Sequence, residues 1–280
     1  LGNQFLAHIR EVDAIIHLVR CFEDSDTTHV EGSIDPIRDM DIINTELMLA
    51  DLDSLERRQT SLTKKAKTGD KDAKAQLELV ELAYAQLSQG QPARFAQVPP
   101  DQVQAFKQLH LITAKPVLYV CNVSEAEAAT GNTLTAKVNA HALQEKAQSV
   151  VISAAIEAEI SLLTTESDRA EFLTSLNLTE TGLAQVIQRG YALLDLVTFF
   201  TVGPKEARAW TVRHHAKVPE AAGVIHTDFE HGFIRAETIA YDDYVNCNGE
   251  QGAKAAGKLR LEGKEYLVQD GDIYHFRFNV

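Results

Sequence analysis

Asn122 and Glu125, three residues apart in KPVLYVCNVSEAE, are side chains suited to reading a purine base. The asparagine amide both donates and accepts, so it can meet a purine edge and brace a neighbouring loop. The carboxylate accepts from ring or exocyclic N–H groups, and Val123 would lie beside the base. On its own this short pattern also fits a plain polar turn at a strand end. A second element, Ser153-Ala154-Ala155 at the head of SAAIEAEI, follows further along the chain. A turn of this kind after a buried strand can close over a base with backbone N–H groups, and two such loops in this order point to nucleotide binding. His29 sits in a polar stretch rich in Ser, Thr and Asp. It is either a solvated loop residue or a polar group swung over a bound phosphate. Arg57, Arg58, Lys64, Lys65, Lys67, Lys71 and Lys74 gather around Asp70 and Asp72. They form either a phosphate-binding surface or the solvated ends of helices.

The elements that must position these groups follow from the apolar pattern. Residues 117–121 are an unbroken apolar run, as in a strand buried on both faces of a parallel sheet. Such a strand delivers Asn122 and Glu125 to its carboxyl end, where open α/β sheets place ligands. Residues 149–154 read as a second strand and residues 13–20 as a third, which leads through Cys21 and Phe22 into the His29 loop. Helices are predicted over residues 1–11, 102–111, 135–148, 168–175 and 181–194, and strand–helix alternation implies right-handed crossovers. The alternation is interrupted at residues 41–67, where Met48, Leu52, Leu55, Gln59, Leu62 and Ala66 recur at spacings of four and three. Thr68-Gly69-Asp70 breaks this helix, and residues 72–88 resume it with Ala73, Leu77, Val80, Tyr84 and Leu87. Two such helices make an antiparallel hairpin with the basic cluster at its tip. Residues 89–100 read as a Gly/Pro linker. From about Leu194 the runs VTFFTV, RAWTV, GFIRAETIAY, YLVQ and DIYHFRF are short, β-branched and aromatic. Turns such as VPEAAG and a helix-like stretch at residues 251–261 separate them, which predicts a small mixed α+β domain with Trp210 in its core.

Composition narrows the classes. With 280 residues the chain can bury a core in two or three domains. A net charge of −13 argues against a surface that coats nucleic acid, so any RNA contact is local. Cys21, Cys121 and Cys247 are odd in number and unpatterned, which suits a reducing cytoplasm and neither a disulfide scaffold nor a zinc site. No metal ligand is assigned. No apolar run approaches membrane-spanning length and no signal peptide is visible, so no membrane partner is expected.

The stretches LGNQFL, DAIIHLVRCFED, INTELMLADLDSLERR, GDKDAKAQ, NVSE, ARAWTV, IHTDFEHGFIRAETIAYDDYV, GEQGAKAAGK and VQDGDIYHFRFNV closely resemble the Obg-like ATPase (YchF) family of P-loop nucleotide hydrolases. The resemblance runs through essentially the whole chain. It implies an α/β fold: an incomplete P-loop nucleotide hydrolase sheet at residues 1–40 and 101–193, an inserted coiled-coil hairpin at 41–100, and a β-grasp (TGS) domain at 194–280. It further implies binding of ATP and GTP with ATP preferred, slow hydrolysis, and association with the ribosome or ribosomal RNA. His29 matches the family's loop histidine proposed to orient the attacking water. One departure is large, because no GxxxxGK[ST] loop is present. The phosphate- and Mg²⁺-holding residues of the family have no counterparts here. The sequence is therefore expected to be incomplete, and this chain alone is expected neither to hydrolyse nor to bind nucleotide tightly. The rival expectation is a non-catalytic module that grips RNA or protein through the hairpin tip and the TGS domain.

Overall fold

Helix α1 (Asn3–Glu11) leads into strand β1 (Ile15–Arg20) in the computed structural model, which describes residues 2–23 and 33–279. The hairpin follows as α2 (Pro36–Lys67) and α3 (Lys71–Ser88). Helix α2 begins earlier than its apolar seam suggested. The Asp35 carboxylate accepts from the N–H groups of Ile37 and Arg38 at 3.2 and 3.3 Å, and Pro36 sits where a missing N–H costs nothing. Asp70 caps α3 in the same way, accepting from Asp72 and Ala73 at 3.0 Å each.

The buried stripe of the hairpin is wider than a coiled-coil seam. Leu55, Val80 and Leu87 are buried as the spacing predicts, but so are Leu79 and Ala83, while Leu77 and Tyr84 are only half-buried. The reason is tertiary. The chain after α3 folds back, so that Ala93, Leu109, Leu111 and Phe106 of α4 (Val103–Lys107) join the hairpin residues in one core. Residues 89–100 are thus packed structure, with Ala93 fully buried, and not only a linker.

Strand β2 (Val117–Asn122), helix α5 (Thr133–Gln144) and strand β3 (Gln148–Ile152) complete a parallel sheet in the order β1-β2-β3. Its register sets Arg20, Asn122 and Ile152 side by side at the carboxyl ends. Every residue of β2 up to Cys121 is buried, as the apolar run requires. Strand β3 ends earlier than expected, because Ser153 already opens α6 (Ala154–Leu162). Helices α7 (Glu166–Ser175) and α8 (Gly182–Leu193) follow. The chain divides into two compact units, Leu1–Gly190 and Tyr191–Val280.

The second unit comprises β4 (Leu196–Val202), β5 (Ala207–Arg213), α9 (Val218–Ile225), α10 (Thr227–His231), β6 (Phe233–Ala240), α11 (Tyr241–Asn246), α12 (Glu250–Ala255), β7 (Arg260–Glu262) and β8 (Asp272–Phe278). Its sheet runs β5-β4-β8-β6-β7, parallel only between β4 and β8. Three local expectations fail. VPEAAG is not a turn but the start of α9: the Glu220 carboxylate accepts the Lys217 N–H at 3.0 Å, proline is tolerated in the first turn, and Ala221 and Ala222 are buried. YLVQ forms no strand, only one bridge between Leu267 and Lys217. Residues 251–261 divide between α12 and β7. Trp210 packs half-buried against the core, its indole N–H donating to Thr201 at 2.8 Å.

Candidate functional site

Asn122 stands at the carboxyl end of the central strand, and its Oδ1 accepts the N–H of Ala154 at 2.9 Å. The bond ties the loop after β2 to the first turn of α6. It also fixes the amide's orientation: a backbone N–H needs an acceptor, so Nδ2 faces outward as a donor, with no described residue accepting from it. Val123 reinforces the junction, its N–H donating to the Ile152 carbonyl at 2.9 Å, while its side chain is buried in the sheet core. What Val123 offers a ligand is therefore backbone. Glu125 opens a short 3-10 turn, Glu125–Glu127, and its exposed carboxylate has no described partner. Ser153 is 3% exposed, and its Oγ has no hydrogen-bond partner among the described residues. Ala154 and Ala155 are exposed at the helix start, where first-turn N–H groups lack intrahelical acceptors.

Asn132, Ser124, Glu127, Glu157, Gly182 and Asp51, which sequence reasoning passed over, hold this arrangement. Asn132 caps α5, its Oδ1 accepting from Leu134 and Thr135 at 2.9 Å each, while its Nδ2 donates to the Cys21 carbonyl at 2.7 Å. The capping pattern Asn-x-x-Thr was the signal that could have revealed it. The Ser124 hydroxyl donates to Glu127 at 2.8 Å, and this bond together with the Asn132 amide holds the Glu127 carboxyl below the usual carboxylate range. The Glu157 carboxylate accepts from Gly182 and Leu183 at 2.7 and 3.2 Å, anchoring the start of α8. Gly182 is required there, since a Cβ would lie 2.7 Å from Ile152 Cγ2 and 2.8 Å from its Cβ. Asp51, fully buried in α2, accepts from the Ile112 N–H at 3.0 Å and from the N–H and hydroxyl of Thr113 at 2.8 Å each. It thereby secures the turn that feeds β2. Neither Glu157 nor Asp51 announced itself by a local pattern.

The other sequence-predicted residues lie apart. His29 falls outside the described residues. Lys64, Lys65, Lys67, Lys71 and Lys74 are exposed around the hairpin tip, and none forms an ion pair among the described residues. Arg58 is half-buried, and Arg57 is held by Asp53 one helical turn earlier. A mainly apolar cavity of about 520 Å³ runs along β1, lined by Phe5, Ile9, Ile15, His17, Leu47 and Arg94, and contains none of the base-reading candidates. Burial lowers the pKa of His17 in its wall. No helix among the described residues is long and apolar enough to cross a membrane. Around Asn122 no group of His, Cys, Asp or Glu has metal-ligand spacing among the described residues.

Known proteins match along the full length. "Ribosome-binding ATPase YchF" of Bacillus subtilis (strain 168) is 51% identical over 282 residues, covering 100% of this chain and 77% of that protein. The protein of the same name from Haemophilus influenzae is 54% identical over 280 residues, with the same coverage. The chain belongs to the YchF/Obg-like ATPase family. The family profile YchF-GTPase_C, described as a protein of unknown function (DUF933), matches residues 196–279, the TGS-like part. "Obg-like ATPase 1" of rice, a eukaryotic member, is 40% identical across 100% of this chain and 71% of its own length. The Schizosaccharomyces pombe YchF GTPase superposes with a TM-score of 0.84 at 36% identity, covering 99% of this chain and 75% of that one. The parallel sheet, the long helical pair and the C-terminal mixed sheet are thus the YchF architecture.

Proposed function

We propose that this chain carries the base-reading part of a cytoplasmic, ribosome-associated nucleotide hydrolase and holds the purine of ATP between the loop after β2 and the start of α6. GTP is the weaker ligand in this reading. The observation that carries it is the 2.9 Å bond from the Ala154 N–H to Asn122 Oδ1, which joins the two base-reading loops into one edge. With Oδ1 engaged, Asn122 Nδ2 is left to donate to a ring nitrogen of the base. The exposed carboxylate of Glu125 accepts from the exocyclic amine of adenine, and the Ala155 N–H closes over the ring beside the buried Ser153. Guanine would ask for a carboxylate taking two N–H groups at once, a match worth roughly 1.5–3 kcal/mol for charged hydrogen bonds. Glutamate, one methylene longer than aspartate, does not sit in that plane.

In the same proposal, residues 1–40 and 101–193 form the nucleotide domain, 41–100 the inserted hairpin and 194–280 the TGS domain. His29 orients the attacking water, a task a neutral imidazole performs by hydrogen bonding. Ribosomal RNA is engaged through Arg57, Arg58, Lys64, Lys65, Lys67, Lys71 and Lys74. The names of the bacterial relatives, ribosome-binding ATPases, support both halves.

The base site can be tested without phosphates. Adenosine and guanosine titrated into the chain should shift the Asn122 side-chain amide and the Ala154 and Ala155 backbone amides in NMR spectra, adenosine at lower concentration. Glu125→Asp should move the balance toward guanosine. A wild-type preference for guanosine, or shifts elsewhere only, would remove the reading.

A further inference from the structure

We propose that Glu237, Glu250 and His275 in the second unit form a binding site for a transition-metal dication of the zinc class. The three come from separate elements. Glu237 of β6 lies directly opposite His275 of β8 in the antiparallel register, so both project from one face of the sheet. Glu250 of α12 reaches the same place. One ligand atom from each residue lies within 4.8 Å of the other two. Zinc bonds of about 2.0–2.2 Å to nitrogen and oxygen would draw them together by small side-chain rotations.

A second observation points to the same spot. All three residues line one small cavity of about 20 Å³, with Val202, Ile239 and Ile273 as apolar wall. That is room for a single water-sized particle. Glu250, exposed at the mouth of the cavity, has no cationic partner among the described residues. Glu237 is gripped by Arg277, whose Nε and Nη2 donate to its two oxygens at 3.1 Å each. Each carboxylate oxygen keeps a second lone pair, so Arg277 fixes the carboxylate plane as outer hydrogen bonds do around metal ligands. The donor set, one imidazole nitrogen and two carboxylate oxygens, favours zinc-class ions. Calcium and magnesium prefer all-oxygen shells of six or more ligands. Three protein ligands leave a further position for water, so bound metal should exchange.

The test is equilibrium dialysis of the full chain against Zn²⁺, with Co²⁺ as a spectroscopic stand-in. Wild type should retain one more equivalent of Zn²⁺ than His275→Ala or Glu250→Gln. The visible Co²⁺ absorption should fall equally in both variants. His275→Asn, which keeps a polar side chain of similar reach, should lose the same equivalent, separating lost ligation from lost folding. Glu265→Gln, an exposed carboxylate outside the cluster, should bind as wild type does. Equal zinc retention in wild type and the variants, loss in only one variant, or displacement of the zinc by excess Mg²⁺ would overturn the proposal.

Discussion

Replacing Asp51 by alanine should destabilise the first unit by roughly 3–5 kcal/mol, mainly from two orphaned buried backbone N–H groups, with a smaller loss from the partly exposed Arg10 pair. Its carboxylate is fully buried and accepts from the Ile112 N–H, the Thr113 N–H, the Thr113 hydroxyl and Arg10 Nη1, the last at 3.1 Å. Truncation leaves two backbone N–H groups without acceptors, each costing about 1–3 kcal/mol. The Thr113 hydroxyl can turn, because it already accepts from the Ala93 N–H at 3.2 Å. Arg10 contributes less, since it also donates to the carbonyls of Ala50 and His110 and its side chain is 25% exposed. For a unit of this size each kcal/mol lowers Tm by about 2–4 °C, so a fall of about 6–20 °C is expected in circular-dichroism melts. Asp51→Asn should fall between wild type and Asp51→Ala, because one amide oxygen still accepts while the NH₂ group faces a second donor. Hydrogen exchange at Ile112 and Thr113 should accelerate ahead of the rest of the sheet. A change below about 1 kcal/mol for Asp51→Ala, within the scatter of ordinary substitutions, would refute the assignment of Asp51 as the knot that holds the turn before β2.

Two further expectations concern the site and the hairpin. Gly182→Ala forces a Cβ into Ile152, the residue before Ser153. It should cost about 1–3 kcal/mol as overpacking and weaken the adenosine-induced shift at Ala154, and wild-type behaviour in both measurements would show that the clash relaxes freely. Reversing the charges of Lys64, Lys65 and Lys67 together should reduce ribosome co-sedimentation. It should also flatten the slope of log affinity against log salt by about 0.7–0.9 for each RNA phosphate no longer neutralised; an unaltered slope would make the tip a solvated helix end.

What the sequence determined by itself is what depends on neighbours along the chain. The apolar run of β2 reads as a strand buried on both faces, which places Asn122 and Glu125 at its carboxyl end. The Thr68-Gly69-Asp70 break between two apolar-periodic helices meant a hairpin. Asp35-Pro36 and Asn132-x-x-Thr135 carried their own helix starts, although only the structure drew attention to them. The alternating β-branched runs after Leu194 announced a mixed sheet, yet a proline misled the reading of α9, because proline marks a turn and a first helical turn equally well.

Tertiary structure decided what depends on residues far apart in sequence. Leu79 and Ala83 are buried because residues 93–111 return to cover them, and no periodicity within the hairpin carries that information. Asp51 meets Thr113, Glu157 meets Gly182, and Glu237 meets Glu250 and His275 only after the chain has folded. An acid destined for a buried hydrogen-bond knot has the same side chain as one destined for solvent. Its role is set by the donors that packing brings to it, and those lie outside any local window.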